Sequence, residues 1–114
     1  MKLQFLLASC VLIAGCSTTI GEMRGHAPSA TYVSARSEAE LEHCLAGNLS
    51  WSGDLAIIRG PDTTELSFNS MGSSVILVTL KPTATGTLVE ARELIAYGVR
   101  VRNNIEACVT GRDR

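Results

Sequence analysis

The run Val75-Ile76-Leu77-Val78-Thr79-Leu80 constrains this chain most, because successive apolar side chains leave it no polar face to turn to water. A short run of this kind reads as a central strand buried on both sides. Its neighbours fit the same sheet. Asp54-Leu55-Ala56-Ile57-Ile58 reads as one strand, followed by the turn residues Arg59-Gly60-Pro61-Asp62. Glu65-Leu66-Ser67-Phe68-Asn69 alternates, placing Leu66 and Phe68 on one face. Ser70-Met71-Gly72-Ser73 turns the chain, Lys81 to Gly86 forms a hairpin-sized loop, and Thr87 to Glu93 returns. Strands this close in sequence pair most simply as an antiparallel meander.

Two helices flank the strands. Ser37-Glu38-Ala39-Glu40 has the spacing of a capping box with acid in the first turn, and Leu41, Cys44 and Leu45 follow as an apolar stripe. Gly47-Asn48 supplies the stop. A closing helix is expected over residues 95–109, with Gly111 as its terminator. Here Leu94, Val101, Ile105 and Cys108 fit one helical face, and residues 103–108 cannot alternate as a half-buried strand. The expected fold is α+β: a two-layer sandwich in the order α-β-β-β-β-α, with a four-stranded antiparallel meander and both helices packed on one face. That arrangement leaves the opposite face, carrying Val75 and Leu77, open for docking. Trp51, between helix and strand, reads either as a lid over the helix–sheet seam or as a partner contact. Trp51, Val75 and Leu77 are thus the candidate partner contacts.

The N-terminal segment carries a different signal. Lys2 precedes an apolar run from Leu3 to Ala14 that is shorter than the ~20 residues of a membrane-spanning helix, as a secretory signal would be. The run ends in Leu12-Ile13-Ala14-Gly15-Cys16, which resembles the bacterial lipobox: an aliphatic residue three places before the cysteine, then small residues. The resemblance implies a signal peptide over residues 1–15, cleavage between Gly15 and Cys16, and a diacylglyceryl thioether on Cys16, with a further acyl chain on its new amino group. Two or more chains give stable anchoring, at about 0.8 kcal/mol per buried CH₂. Ser17, rather than Asp, follows the cysteine, which favours the outer membrane facing the periplasm in a Gram-negative host. Residues 16–32 lack periodicity and read as a lipidated N-terminus and flexible tether spanning about 20 Å, with residues 33–114 as the domain.

Of the four cysteines, this reading assigns Cys10 to the signal peptide and Cys16 to lipid, leaving Cys44 and Cys108. Both fall on apolar helix faces in a compartment that permits disulfides, so a bridge between them is expected. Two buried free thiols, or a metal or redox site, are the alternatives. From Ser34 to Thr110 the pattern resembles short proteobacterial lipoproteins, on the strength of Ser37-x-x-Glu40-Leu41-Glu42-x-Cys44, a strand meander and a closing Ala107-Cys108-Val109. The Gly98 within the closing helix departs from that pattern. The resemblance implies an architecture with one helix-to-helix disulfide and no catalytic residues.

Composition narrows the chemistry further. A formal charge of -1 and a pI near 6.1, with no basic run, argue against a nucleic-acid partner and against a polybasic second anchor. His26 lies in the tether and His43 off the apolar stripe, with no G-x-S-x-G to supply a nucleophile. Glu38, Glu40 and Glu42 read as first-turn charges, and Glu90 and Glu93 as sheet-surface charges. No cofactor, metal or catalytic set is expected. The leading expectation is a non-enzymatic binding or accessory module that meets an envelope protein or cell-wall component. A small-ligand-binding or enzymatic periplasmic domain is the alternative, and a transfer- or phage-related surface-exclusion lipoprotein a further one.

Overall fold

The computed structural model describes residues 18–94 and 98–111. Among them, α1 (Ile20–Gly25) and β1 (Ala30–Ser34) precede α2 (Glu38–Asn48) and a 3₁₀ turn, Ser50–Ser52. Next come β2 (Asp54–Arg59), β3 (Thr64–Ser70), β4 (Ser73–Pro82) and β5 (Thr87–Glu93), and α3 (Gly98–Thr110) closes the fold. The five strands form one antiparallel sheet in the order β1-β5-β4-β3-β2.

This overturns the expected order α-β-β-β-β-α with four strands. The described residues contain three α-helices and five strands, and the additional helix and strand come from the stretch that reads as a tether. Neither leaves a strong local pattern. Helix α1 buries only Met23, and β1 is an edge strand that is buried along one side only. What orders them is long-range: β1 pairs with β5 in the register Tyr32↔Val89, and Ser29 N–H donates to the Ala91 carbonyl at 2.7 Å.

Helix α2 begins as its sequence dictates. The Ser37 hydroxyl accepts from Glu40 N–H at 3.2 Å, and the Glu40 carboxylate accepts from Ser37 N–H at 3.4 Å, so both halves of the capping box are formed. The Ser37 N–H bond first, and then a bond that the Ser37 hydroxyl donates to the same carboxylate at 3.1 Å, hold the Glu40 carboxyl below its ordinary range. Helix α3 starts at Gly98 in the described chain, and residues 95–97 of the expected helix lie outside it. Its exit is the left-handed Gly111, at φ 76°.

Both long helices cover one face of the sheet. Leu41, Leu45 and Leu49 from the α2 side, with Val101, Ile105 and Cys108 of α3, close over Leu66, Phe68, Ile76, Val78, Leu80, Val89 and Ala91. Cys44 and Cys108 are joined as a disulfide, with their Cα atoms 5.7 Å apart. The bridge ties α2 to α3, and Asn48 reinforces it by donating to the Asn104 carbonyl at 3.3 Å.

The second face is also covered. Helix α1 packs across β4 and β5 there, with Met23 at 1% exposure. Arg24 reaches Glu65 at 2.6 Å, and the His26 carbonyl accepts from Arg92 Nε at 2.7 Å. Glu65, Ser67, Leu77 and Arg92 share this face through the pairings Ser67↔Leu77↔Arg92 and Glu65↔Thr79. The expected open face is therefore closed at Leu77, which is 0% exposed, while Val75, the residue skipped where the β3–β4 register shifts, is buried in the helix-covered core at 4% exposure. The physical reason is simple: a strand apolar on both sides requires two covers, and the sequence-level reading supplied one.

Candidate functional site

An opening lies where α2 fails to reach the sheet edge. Ala39, Glu42, His43 and Ala46 recur at helical spacing along one side of α2, while Ile57 and Arg59 face them from β2. Strand β2 is the last in the sheet. Its Leu55 and Ile57 pair with Phe68 and Leu66, so they lie on the helix-covered face. They nevertheless remain 36% and 40% exposed. Alanines at positions 39 and 46 are too short to span the gap, and the result is an open groove of about 480 Å³.

One ion pair crosses it. Arg59 Nη2 lies 2.6 Å from Glu42 Oε1, and Nη1 donates to Oε2 at 3.1 Å, a two-pronged geometry that fixes both side chains. Nearby, the Thr64 hydroxyl donates to Glu38, tying the start of α2 to β3. The groove thus combines an apolar floor, a fixed ion pair and the exposed imidazole of His43. That composition suits an apolar side chain or a short extended segment better than a charged small molecule.

A second charged group lies deeper. Glu93, expected on the sheet surface, has a side chain only 3% exposed, with Arg102 Nε 3.5 Å from its carboxylate. Burial pushes its carboxyl above the ordinary range, against the opposing pull of Arg102. Glu90, by contrast, is a sheet-surface charge paired with Lys81 at 2.8 Å.

The sites expected from sequence fall in three groups. Cys16 and the motif residues Leu12, Ile13, Ala14 and Gly15 lie outside the described residues. Cys44 and Cys108 are brought together. Trp51 is half-buried against the core, with the Arg100 guanidinium 3.8 Å above its ring, whereas Val75 and Leu77 are inaccessible.

Sequence reasoning missed the groove. Its signal was present as the paired small residues Ala39 and Ala46 on α2 opposite Ile57 of β2, but only the placement of α2 over the sheet turns them into an opening. Among the described residues no group of three or more His, Cys, Asp or Glu side chains has metal-holding geometry. No helix among them is long and apolar enough to cross a membrane. No family model, curated protein or solved structure matches this chain.

Proposed function

We propose that this chain is a lipid-anchored module of the bacterial envelope. Acyl chains on Cys16 hold it at the periplasmic face of the outer membrane, and it acts by binding rather than by catalysis. The observation that carries this reading is Leu12-Ile13-Ala14-Gly15-Cys16 at the end of an apolar run opened by Lys2. The Cys44–Cys108 bridge supports it, since such bonds persist in oxidising compartments. The α2–β2 groove supports the binding role, because half-exposed Leu55 and Ile57 beside a sheet edge offer both an apolar contact and a strand to pair with.

The anchor is tested by intact mass and acyl labelling of protein taken from membranes. The native chain should carry acyl groups and sediment with membranes, while Cys16→Ser should be unlabelled. Equal labelling of both would refute the anchor. The binding role is tested with a photo-crosslinking residue at Ile57 in intact envelopes. A discrete adduct with an envelope protein or cell-wall fragment is expected, and its absence counts against the role.

One observation favours a second reading. The groove lies between helix layer and sheet and holds His43 beside the Glu42–Arg59 pair, so a small ligand could lodge there. A ligand panel that raises the melting temperature, with the effect lost in Ile57→Asp, would favour it.

A further inference from the structure

The distance from the proposed anchor to the folded domain is fixed by covalent geometry. Thr18 is the second residue after Cys16, and two peptide units span about 7 Å at most. Thr18 is itself held by the β3–β4 turn. Its N–H donates to the Ser73 hydroxyl at 3.3 Å, and its carbonyl accepts from Ser74 N–H at 2.7 Å. Acyl chains on Cys16 would therefore leave the protein beside this turn, with no length of free chain between domain and bilayer.

The turn is built unusually for a solvent-facing hairpin. Met71 is 100% exposed and has φ 52°, in the left-handed region where Gly or Asn is the ordinary occupant. Turn chemistry does not select an apolar side chain here. Two more features lie at the same end of the sheet. Glu93 pairs with Ile76 near the start of β4, and a side chain at Gly98 would meet its carboxylate at 3.7 Å. This places the entry to α3, with Val99 at 73% exposure, at that end. Asp54 pairs with Asn69, which puts the 3₁₀ turn carrying Trp51 there too, under Arg100. The opposite end, by contrast, has exposed Pro61, Asp62, Thr83, Ala84 and Thr85 in its two turns.

We infer that this end of the sheet is a membrane-docking surface, with Met71 entering the lipid headgroup region beside the acyl chains of Cys16. The inference rests on the proposed lipidation. Apolar tips and a tryptophan–arginine stack are side chains that settle at a membrane interface, ring and aliphatic stem toward lipid and charge toward water. The acyl chains supply attachment, and the docked end sets orientation. The sheet stands away from the bilayer, which keeps the α2–β2 groove open to the periplasm.

The test uses the full acylated protein in phosphatidylethanolamine–phosphatidylglycerol vesicles, with a nitrobenzoxadiazole probe at Met71→Cys or, at the far end, Ala84→Cys. Spin-labelled lipid should quench the probe at position 71 by about twofold or more, as expected within 5–10 Å of the acyl boundary, and leave the probe at position 84 unaffected. The single tryptophan gives a label-free check. Brominated lipid should quench Trp51, and Met71→Asp should lose at least about half of that quenching while retaining its circular dichroism and acylation. An acylated protein whose position-71 probe is unquenched, or is quenched equally with position 84, overturns end-on docking alone. Unchanged Trp51 quenching in Met71→Asp also overturns it. A mass without acyl groups removes the anchor and the docking together.

Discussion

Arg24 grips Glu65 with two nitrogens, Nε at 2.9 Å and Nη2 at 2.6 Å, across a separation of 41 residues. The pair fastens α1 to the second face of the sheet. Glu65 is 12% exposed and Arg24 49%, so the contact itself contributes about 1 kcal/mol or less. The apolar surface beneath α1 contributes more.

That difference yields a first prediction. Leu77→Ala should lower stability by about 2–5 kcal/mol, as for other fully buried leucines, whereas Arg24→Ala should cost about 1 kcal/mol or less. Urea denaturation measures both. A Leu77→Ala variant as stable as the native chain would mean that this face is open after all.

The disulfide gives a second. Cys44 and Cys108 are 64 residues apart, and closing a loop of that length stabilises by about 4 kcal/mol in the chain-entropy model. Reduction, or a paired Cys44→Ala and Cys108→Ala change, should shift the urea midpoint down by a corresponding amount. Thiol-reagent labelling of Cys44 and Cys108 themselves on the non-reduced chain, located by peptide mass, would contradict the bridge.

Glu93 makes stability fall as pH rises. Its folded carboxyl titrates above the ordinary value of 4.5 because burial disfavours the charge, so the native state holds this proton more tightly than the unfolded chain does. The associated stability is fully present below about pH 4.5 and is lost as pH climbs through the raised folded value. Glu93→Gln removes that loss. Its melting temperature should match the native protein near about pH 4 and exceed it near about pH 8. A constant gap across the range would sink the assignment.

Gly86 tests the β1–β5 seam. A Cβ there would lie 2.0 Å from the Ser34 carbonyl oxygen and 3.0 Å from Ala35 Cα. The same crossing holds Ser34 Oγ donating to the Val109 carbonyl at 2.8 Å and Thr87 Oγ1 donating to the Arg36 carbonyl at 2.9 Å. Gly86→Ala should therefore cost more than about 2 kcal/mol. Hydrogen exchange should show β1 amides losing protection before those of β4.

By itself the sequence determined the features written in short-range chemistry. The Ser37–Glu40 capping box starts α2, the β2-to-β5 run is delimited by its turn residues, and Gly111 ends α3. The lipobox-like segment is legible on the same terms, because an apolar run and five contiguous residues carry its whole signal. The disulfide partners could also be read, through a count that left one pair on two apolar stripes.

Only the tertiary structure decided the rest. Helix α1 and strand β1 leave little local pattern, since each buries few side chains. They exist because Val89, Leu77 and Glu65, dozens of residues away, give them somewhere to pack. The same long-range packing buried Glu93, closed the face at Leu77, turned Val75 into the helix-covered core, and opened the groove at Ile57. It also drew the domain up to Thr18, two residues from Cys16, where the sequence suggested fifteen residues of slack. Local periodicity reports which side of an element is apolar, and only the assembled sheet settles what covers it.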